Sequence, residues 1–195
     1  MENDTVHLLQ RIRACTVCES ELPCGANPIV QFSERSKIVL VSQAPGRLAH
    51  DKNLPYKDPS GRTLRRWLGV REDQFYQADN FAILPIGFCY PGKGKSGDLP
   101  PRPECAPLWH EAVWNRLQNV KLTLLIGQYA QRYYLQKQAR KTLTATVHHY
   151  KDYLPDYFPI VHPSPRNGIW LRRNPWFEAD VVPDLQQVVA DTIRV

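Results

Sequence analysis

A chain of 195 residues is long enough for one domain with a substantial core, and 43% hydrophobic content argues against disorder. Lys plus Arg number 25 against 19 Asp plus Glu, a net charge of +6 that favours an anionic partner, nucleic acid first. The opening Met1-Glu-Asn-Asp is acidic with no apolar run behind it, and no stretch approaches membrane-spanning length; the expectations are no secretory signal, no membrane, and a cytoplasmic protein.

Val6 to Val17 has helical spacing, with Val6, Leu9, Ile12 and Arg13 near one face. It runs into Cys15-Thr-Val-Cys18, and residues 19–36, rich in Pro, Gly and Asn around Cys24, read as loop. Ile38 to Val41 is a short apolar run that predicts a buried strand. Ala44-Pro45-Gly46 breaks it, because Pro fixes φ and Gly accepts φ that other residues avoid. The long loop that follows stands at the carboxyl end of a strand, where open α/β sheets bind ligands. It carries His50 and Asp51, an acid/base pair by type, and Tyr56, a ring suited to stacking.

Ser60 reads as the N-cap of a helix carrying Leu64, Trp67 and Leu68, with Arg62, Arg65 and Arg66 on its outer face. Phe81 to Ile86 predicts a second strand, with Pro85 at its end because proline cannot donate to a ladder. A flexible basic loop from Gly87 to Asp98 leads through a proline run to Cys105 and a helix with Leu108, Ala112, Val113 and Leu117. Lys121 to Ile126 predicts strand three, and Gln128 to Leu135 a helix. Tyr157 to Val161 predicts strand four, which delivers His162-Pro-Ser-Pro-Arg-Asn167. The last helix is expected over Asp184 to Ile193. No repeat and no second-domain boundary appears, so residues 1–195 read as one α/β domain with a mainly parallel sheet.

Five cysteines in a chain of this kind point to metal or redox chemistry rather than a disulfide frame. Cys15 and Cys18 have the spacing to share one metal, and Cys89 and Cys105 complete a set of four that suits an iron–sulfur cluster or zinc. Cys24 is the odd thiol and reads as a buried free cysteine. In the loop after strand four, two prolines limit the entropy lost on ordering, and His162 can donate a hydrogen bond to developing negative charge. Ser164 suits a phosphate contact, and Arg166 a groove or a vacated base position.

These motifs together resemble the uracil-DNA glycosylase superfamily, most closely its family-four type with an iron–sulfur cluster. The resemblance rests on Cys15/Cys18 with Cys89/Cys105, on Gln43-Ala-Pro-Gly46 followed by Pro55-Tyr56 and Ser60-Gly61, and on His162-Pro-Ser-Pro165. It implies a three-layer α/β/α fold around a four-stranded parallel sheet. It implies hydrolysis of the N-glycosidic bond of uracil or a related deaminated base, flipped out of DNA. Ser42, Gln43, Ala44, Pro45 and Gly46 would wall the base pocket, and Tyr56 takes the place of a stacking phenylalanine. His162 would stabilise the base anion, and Ser164, Pro165, Arg166 and Asn167 would press into the minor groove. Cys15, Cys18, Cys89 and Cys105 would hold a 4Fe-4S cluster, with zinc as the alternative. The expected partner is DNA containing a damaged base, met by a monomer.

The chain departs from the family pattern in three places. Ser42-Gln43 stands for the usual Gly-Glu, and Ala49 and His50 stand where acidic residues are usual, with Asp51 next along. Pro85 stands for an asparagine that reads the pyrimidine edge. Water positioning is accordingly expected from His50 or Asp51. The alternatives are a nucleic-acid-binding module without catalysis and a metalloprotein acting on small nucleosides or nucleotides.

Overall fold

Four short apolar runs build the sheet. In the computed structural model, which describes residues 2–194, β1 is Ile38–Val41, β2 is Phe81–Ile83, β3 is Leu122–Ile126 and β4 is Tyr157–Ile160. All three pairings are parallel, in the order β2-β1-β3-β4. Ile38 stands opposite Phe81 on one side and Leu122 on the other, and Thr123 opposite Tyr157. Met1 and Val195, the ends of the expected 1–195 domain, lie outside the described residues.

Side chains alternate across a strand, so each strand feeds two cores. Ile38 and Leu40 of β1 join Phe81, Ile83, Leu122, Leu124, Phe158 and Ile160 on one face. Val39 and Val41 join Ala82 and Leu125 on the other. The first face is covered by α3 (Pro59–Leu68), α4 (Glu72–Phe75), α7 (Leu143–His148) and α9 (Val182–Arg194). The second is covered by α1 (Glu2–Arg13), α5 (Cys105–Trp114) and α6 (Gly127–Leu135). Two short helices, α2 (Arg47–Lys52) and α8 (Gly168–Arg173), belong to the loops at the carboxyl ends of the strands. The chain thus forms a four-stranded parallel sheet between helices, as its strand–helix alternation implies. Among the described residues no helix is long and apolar enough to cross a membrane.

Local details depart from the sequence reading for identifiable reasons. Helix α1 stops at Arg13 and buries Thr5, Leu8 and Ile12, while Val6 is exposed. Strand β2 ends at Ile83, yet Leu84, Ile86 and Gly87 still donate to the carbonyls of Leu40, Ser42 and Gln43. Pro85, without an N–H, interrupts that ladder. Helix α3 is capped by Asp58, not Ser60: the Asp58 Oδ1 accepts from the Gly61 amide at 2.8 Å, and Pro59 takes the first helical position. Arg65 is buried rather than outward, paired at 3.0 Å with Glu72 and lying over the Phe75 ring.

Candidate active site

The loops leaving β1 and β4 meet over one cleft of about 510 Å³. Strand β1 ends in Ser42, Gln43, Ala44, Pro45 and Gly46, and all five line it. From β4 come His162, Ser164, Arg166 and Asn167. Tyr56 and Asp58 enter ahead of α3, Pro85 from beyond β2, and Asp98 from the basic loop. Ligand clefts at the carboxyl edge of a parallel sheet follow from this topology, since every strand points its exit loop to the same side.

His162 is positioned by glycine and by its own loop. Gly127, at φ 81°, begins α6 beneath it; a Cβ there would come to 3.4 Å of the His162 Cβ. The Asn167 side-chain amide donates to the His162 carbonyl at 2.6 Å, and Ser164 Oγ accepts from the Arg166 amide. These contacts close a compact turn that aims the imidazole at the cleft. Burial holds its pKa below the ordinary 6.5, with Asp58 opposing the shift. The ring is therefore neutral at pH 7 and offers one N–H donor.

Tyr56 is held in a strained place. Its φ of 56° is left-handed, a conformation that side-chain-bearing residues avoid at a cost of about 1–3 kcal/mol. The strain is held by what surrounds its carbonyl. Gly61 packs so closely that a Cβ would lie 1.8 Å from the Tyr56 oxygen, and Arg65 Nη1 approaches the same atom at 3.4 Å. The ring packs edge-on against Phe75 and lines the cleft. Its hydroxyl is buried with no hydrogen-bond partner of good geometry among the described residues, although Ser42 lies beside it; burial pushes this phenol well above its ordinary range.

The wall at Pro85 carries no amide. Its carbonyl accepts from Nε2 of His110 at 2.9 Å. Since a carbonyl only accepts, His110 carries its proton on Nε2, and Nδ1 accepts from the Tyr134 hydroxyl at 2.8 Å. Trp114 Nε1 in turn donates to the Tyr134 oxygen at 2.7 Å.

Two expected residues are elsewhere. His50 and Asp51 sit on α2 and do not line the cleft. Asp51 is exposed and paired with Arg47 at 2.8 Å, one helical turn back. The His50 ring lies beside that of Tyr90, and its buried Nδ1 has no partner among the described residues. Only Ala49 of this helix reaches the cleft. Pro165 also stays off its surface, as the exposed first residue of a 3₁₀ turn. The cleft instead contains Asp58 and Asp98, which the sequence reading did not single out. Asp58, just before Pro59-Ser-Gly61, had a recognisable capping position. Asp98 had none, because only tertiary folding brings its loop over Gly46.

The cysteines form a separate group. Cys15 follows the end of α1, Cys18 precedes a 3₁₀ turn, Cys89 lies beyond β2, and Cys105 opens α5. All four are free thiols lining one small cavity with Leu22, Ala26, Pro28, Phe88 and Trp109. Burial and the neighbouring thiols push Cys89 up to about 11 and Cys105 up to about 12. Cys24 stays outside and accepts from Arg47 Nη1 at 3.2 Å. Among the described residues, no group of three or more His, Cys, Asp or Glu side chains is arranged to hold a metal ion.

The family model of the uracil DNA glycosylase superfamily matches residues 29–186. The chain belongs to that superfamily. The match spans all four strands, the Gly46 loop and the His162 loop, and omits Cys15 and Cys18. A solution NMR structure described as a "putative Uracil DNA glycosylase from Methanosarcina acetivorans" is also similar, at 12% identity over 83% of this chain and 98% of that chain, with a TM-score of 0.49.

Proposed function

We propose that the chain is a DNA base glycosylase that hydrolyses the N-glycosidic bond of uracil or a related deaminated base, taken out of the DNA stack. One observation carries the reading: Tyr56 and His162, from loops 106 positions apart in sequence, line the same cleft. A base inside a duplex is out of reach, so it must be extruded into such a pocket, at a cost of a few kcal/mol. Superfamily membership and the basic surface of a +6 chain support DNA as the partner.

The roles follow from chemistry at each position. Breaking the bond between C1′ and the base nitrogen leaves an oxocarbenium-like sugar and an anionic base. His162, neutral and aimed at the cleft, donates its N–H to that anion. Tyr56 stacks on the base, a contact worth about 1–3 kcal/mol. The Ser42–Gly46 loop walls the pocket with backbone groups. Arg166, exposed at the rim beside Ser164 and Asn167, enters the minor groove.

We further propose that Cys15, Cys18, Cys89 and Cys105 hold a 4Fe-4S cluster, as in the family-four type. What supports the reading is that the four thiols, Cys15 and Cys18 from one segment and Cys89 and Cys105 from two others, line one small cavity whose remaining walls are apolar; a zinc ion is the alternative. Held by these four residues, the cluster would brace the loops around it and would supply no chemistry to bond cleavage.

The test is a panel of uracil-, hypoxanthine- and xanthine-containing oligonucleotides, single- and double-stranded, cleaved with alkali after incubation. Alkali-labile breaks at the modified base are the expected result. A second reading, binding without catalysis, is favoured by the missing amide at Pro85, whose carbonyl is already held by His110. It predicts DNA binding with no breaks for any base.

A further inference from the structure

The β1 loop ends at a residue with no side chain, and two carboxylates converge on the space this leaves. Asp58 Oδ2 and Asp98 Oδ2 each stand 3.7 Å from the position a Gly46 Cβ would occupy. They arrive from different directions. Asp58 is fixed as the cap of α3 through its other oxygen, so Oδ2 remains free to face the cleft. Asp98 is fixed by its neighbours: the Leu99 amide donates to the Gly92 carbonyl at 2.8 Å, and Gln43 Nε2 donates to the Leu99 carbonyl at 2.9 Å. Gln43 itself belongs to the β1 loop, so the cleft wall and the carboxylate move together.

The groups that face Asp98 are Asp58, Arg166 and Lys93, and the two cations act on it only through space. Burial in the cleft raises its pKa above the ordinary 3.8, with the Asp58 charge adding to the rise. Asp58 also lies close enough to His162 to oppose the lowering of that histidine's pKa. The same cleft holds the buried, unpartnered hydroxyl of Tyr56. Paired carboxylates beside a neutral imidazole, in one cavity, are the groups a glycosidic hydrolysis needs: a proton acceptor for water on one side, a donor for the leaving anion on the other.

We propose that Asp58 and Asp98 hold the attacking water over Gly46 and that Asp98 takes its proton. This rests on the glycosylase reading above and places the base on residues that line the cleft, which His50 and Asp51 do not. The water oxygen bonds to C1′ as the bond to the base nitrogen breaks. The bonding pair leaves on the base, which receives a hydrogen bond from His162. The water proton passes to the Asp98 carboxylate and from there to bulk water.

The experiment measures single-turnover base release from a uracil-containing single-stranded oligonucleotide by the full chain and by Asp98→Asn, Asp58→Asn and Asp98→Glu, from acid to neutral pH. DNA binding is followed in parallel by fluorescence anisotropy. Asp98→Asn is expected to lose about 100-fold or more in rate while still binding DNA, and Asp98→Glu to recover part of it. The wild-type rate is expected to fall on the acid side, above the ordinary aspartate range, and that fall is expected to vanish in Asp98→Asn. Asp58→Asn keeps the helix cap and is expected to slow release without changing the melting temperature. An active wild type whose Asp98→Asn variant has the same rate and pH profile overturns the carboxylate pair and leaves the glycosylase reading standing. A wild type that releases no base from uracil-, hypoxanthine- or xanthine-containing strands in the same assay removes both.

Discussion

Nε2 of His110 donates to the carbonyl of Pro85 at 2.9 Å, which fixes a cleft wall from behind by a side chain that never reaches the cleft. His110 is 3% exposed and stacks on Phe88, so its charged form has nowhere to be solvated. Burial lowers its pKa to about 4, against an ordinary value of 6.5. Below pH 6.5 the unfolded chain binds a proton that the folded chain refuses. Stability therefore falls as pH drops from about 6.5 to about 4, and the loss then levels off, reaching about 3 kcal/mol. Urea midpoints measured across that window are expected to decline in the wild type and to decline less in His110→Gln.

Gly61 touches the strained Tyr56 carbonyl so closely that any side chain must displace backbone. Gly61→Ala is expected to destabilise the fold by about 2–4 kcal/mol, read as a drop in melting temperature. It is also expected to abolish base release, since the Tyr56 ring cannot keep its place.

His162→Ala removes the donor to the departing base without touching the core. The rate of base release is expected to fall by about 100- to 1,000-fold. The thermal midpoint is expected to stay within a few degrees. A variant that keeps full activity rules out the anion-stabilising role.

Purified protein is expected to be brown, with broad visible absorbance and about four irons per chain. Cys89→Ser is expected to lose the colour and to bind less iron. A colourless protein with one zinc per chain, by elemental analysis, counts against the cluster.

His50→Ala and Asp51→Ala are expected to change base release by no more than about twofold, because neither side chain lines the cleft. The same single-turnover assay checks this.

Short apolar runs at Ile38, Phe81, Lys121 and Tyr157 were enough to read the sheet, because a buried parallel strand is a local pattern. Pro85 was legible as a break in that pairing because it has no N–H, but β2 itself ends at Ile83 and the hydrogen bonds resume at Ile86. What a helix buries was less so. Val6 has the right chemistry for the α1 seam, yet Thr5 takes the place, since its neighbours Leu8 and Ile12 set the phase. Arg65 is charged and still buried, because Glu72 and the Phe75 ring stand where it folds. Within the site, Tyr56, His162 and the Gly46 loop carry signals of their own in turn chemistry and strand ends. His50 and Asp51 did not: on a helix of six residues, one turn decides which side chains face a cleft, and here Ala49 does. Asp98 comes to Gly46 through the Gln43–Leu99 bond, which no local pattern announces.

The order of the strands has a dimensional consequence. β1 and β4 are not neighbours; β3 runs between them. Two inter-strand spacings separate their exits by about 10 Å, a figure set by main-chain hydrogen bonding. A flat heterocycle with van der Waals clearance on both faces occupies about 7 Å of such a gap. The spacing of the two exits is thus a property of the backbone lattice, and the side chains on the two loops divide the gap it leaves.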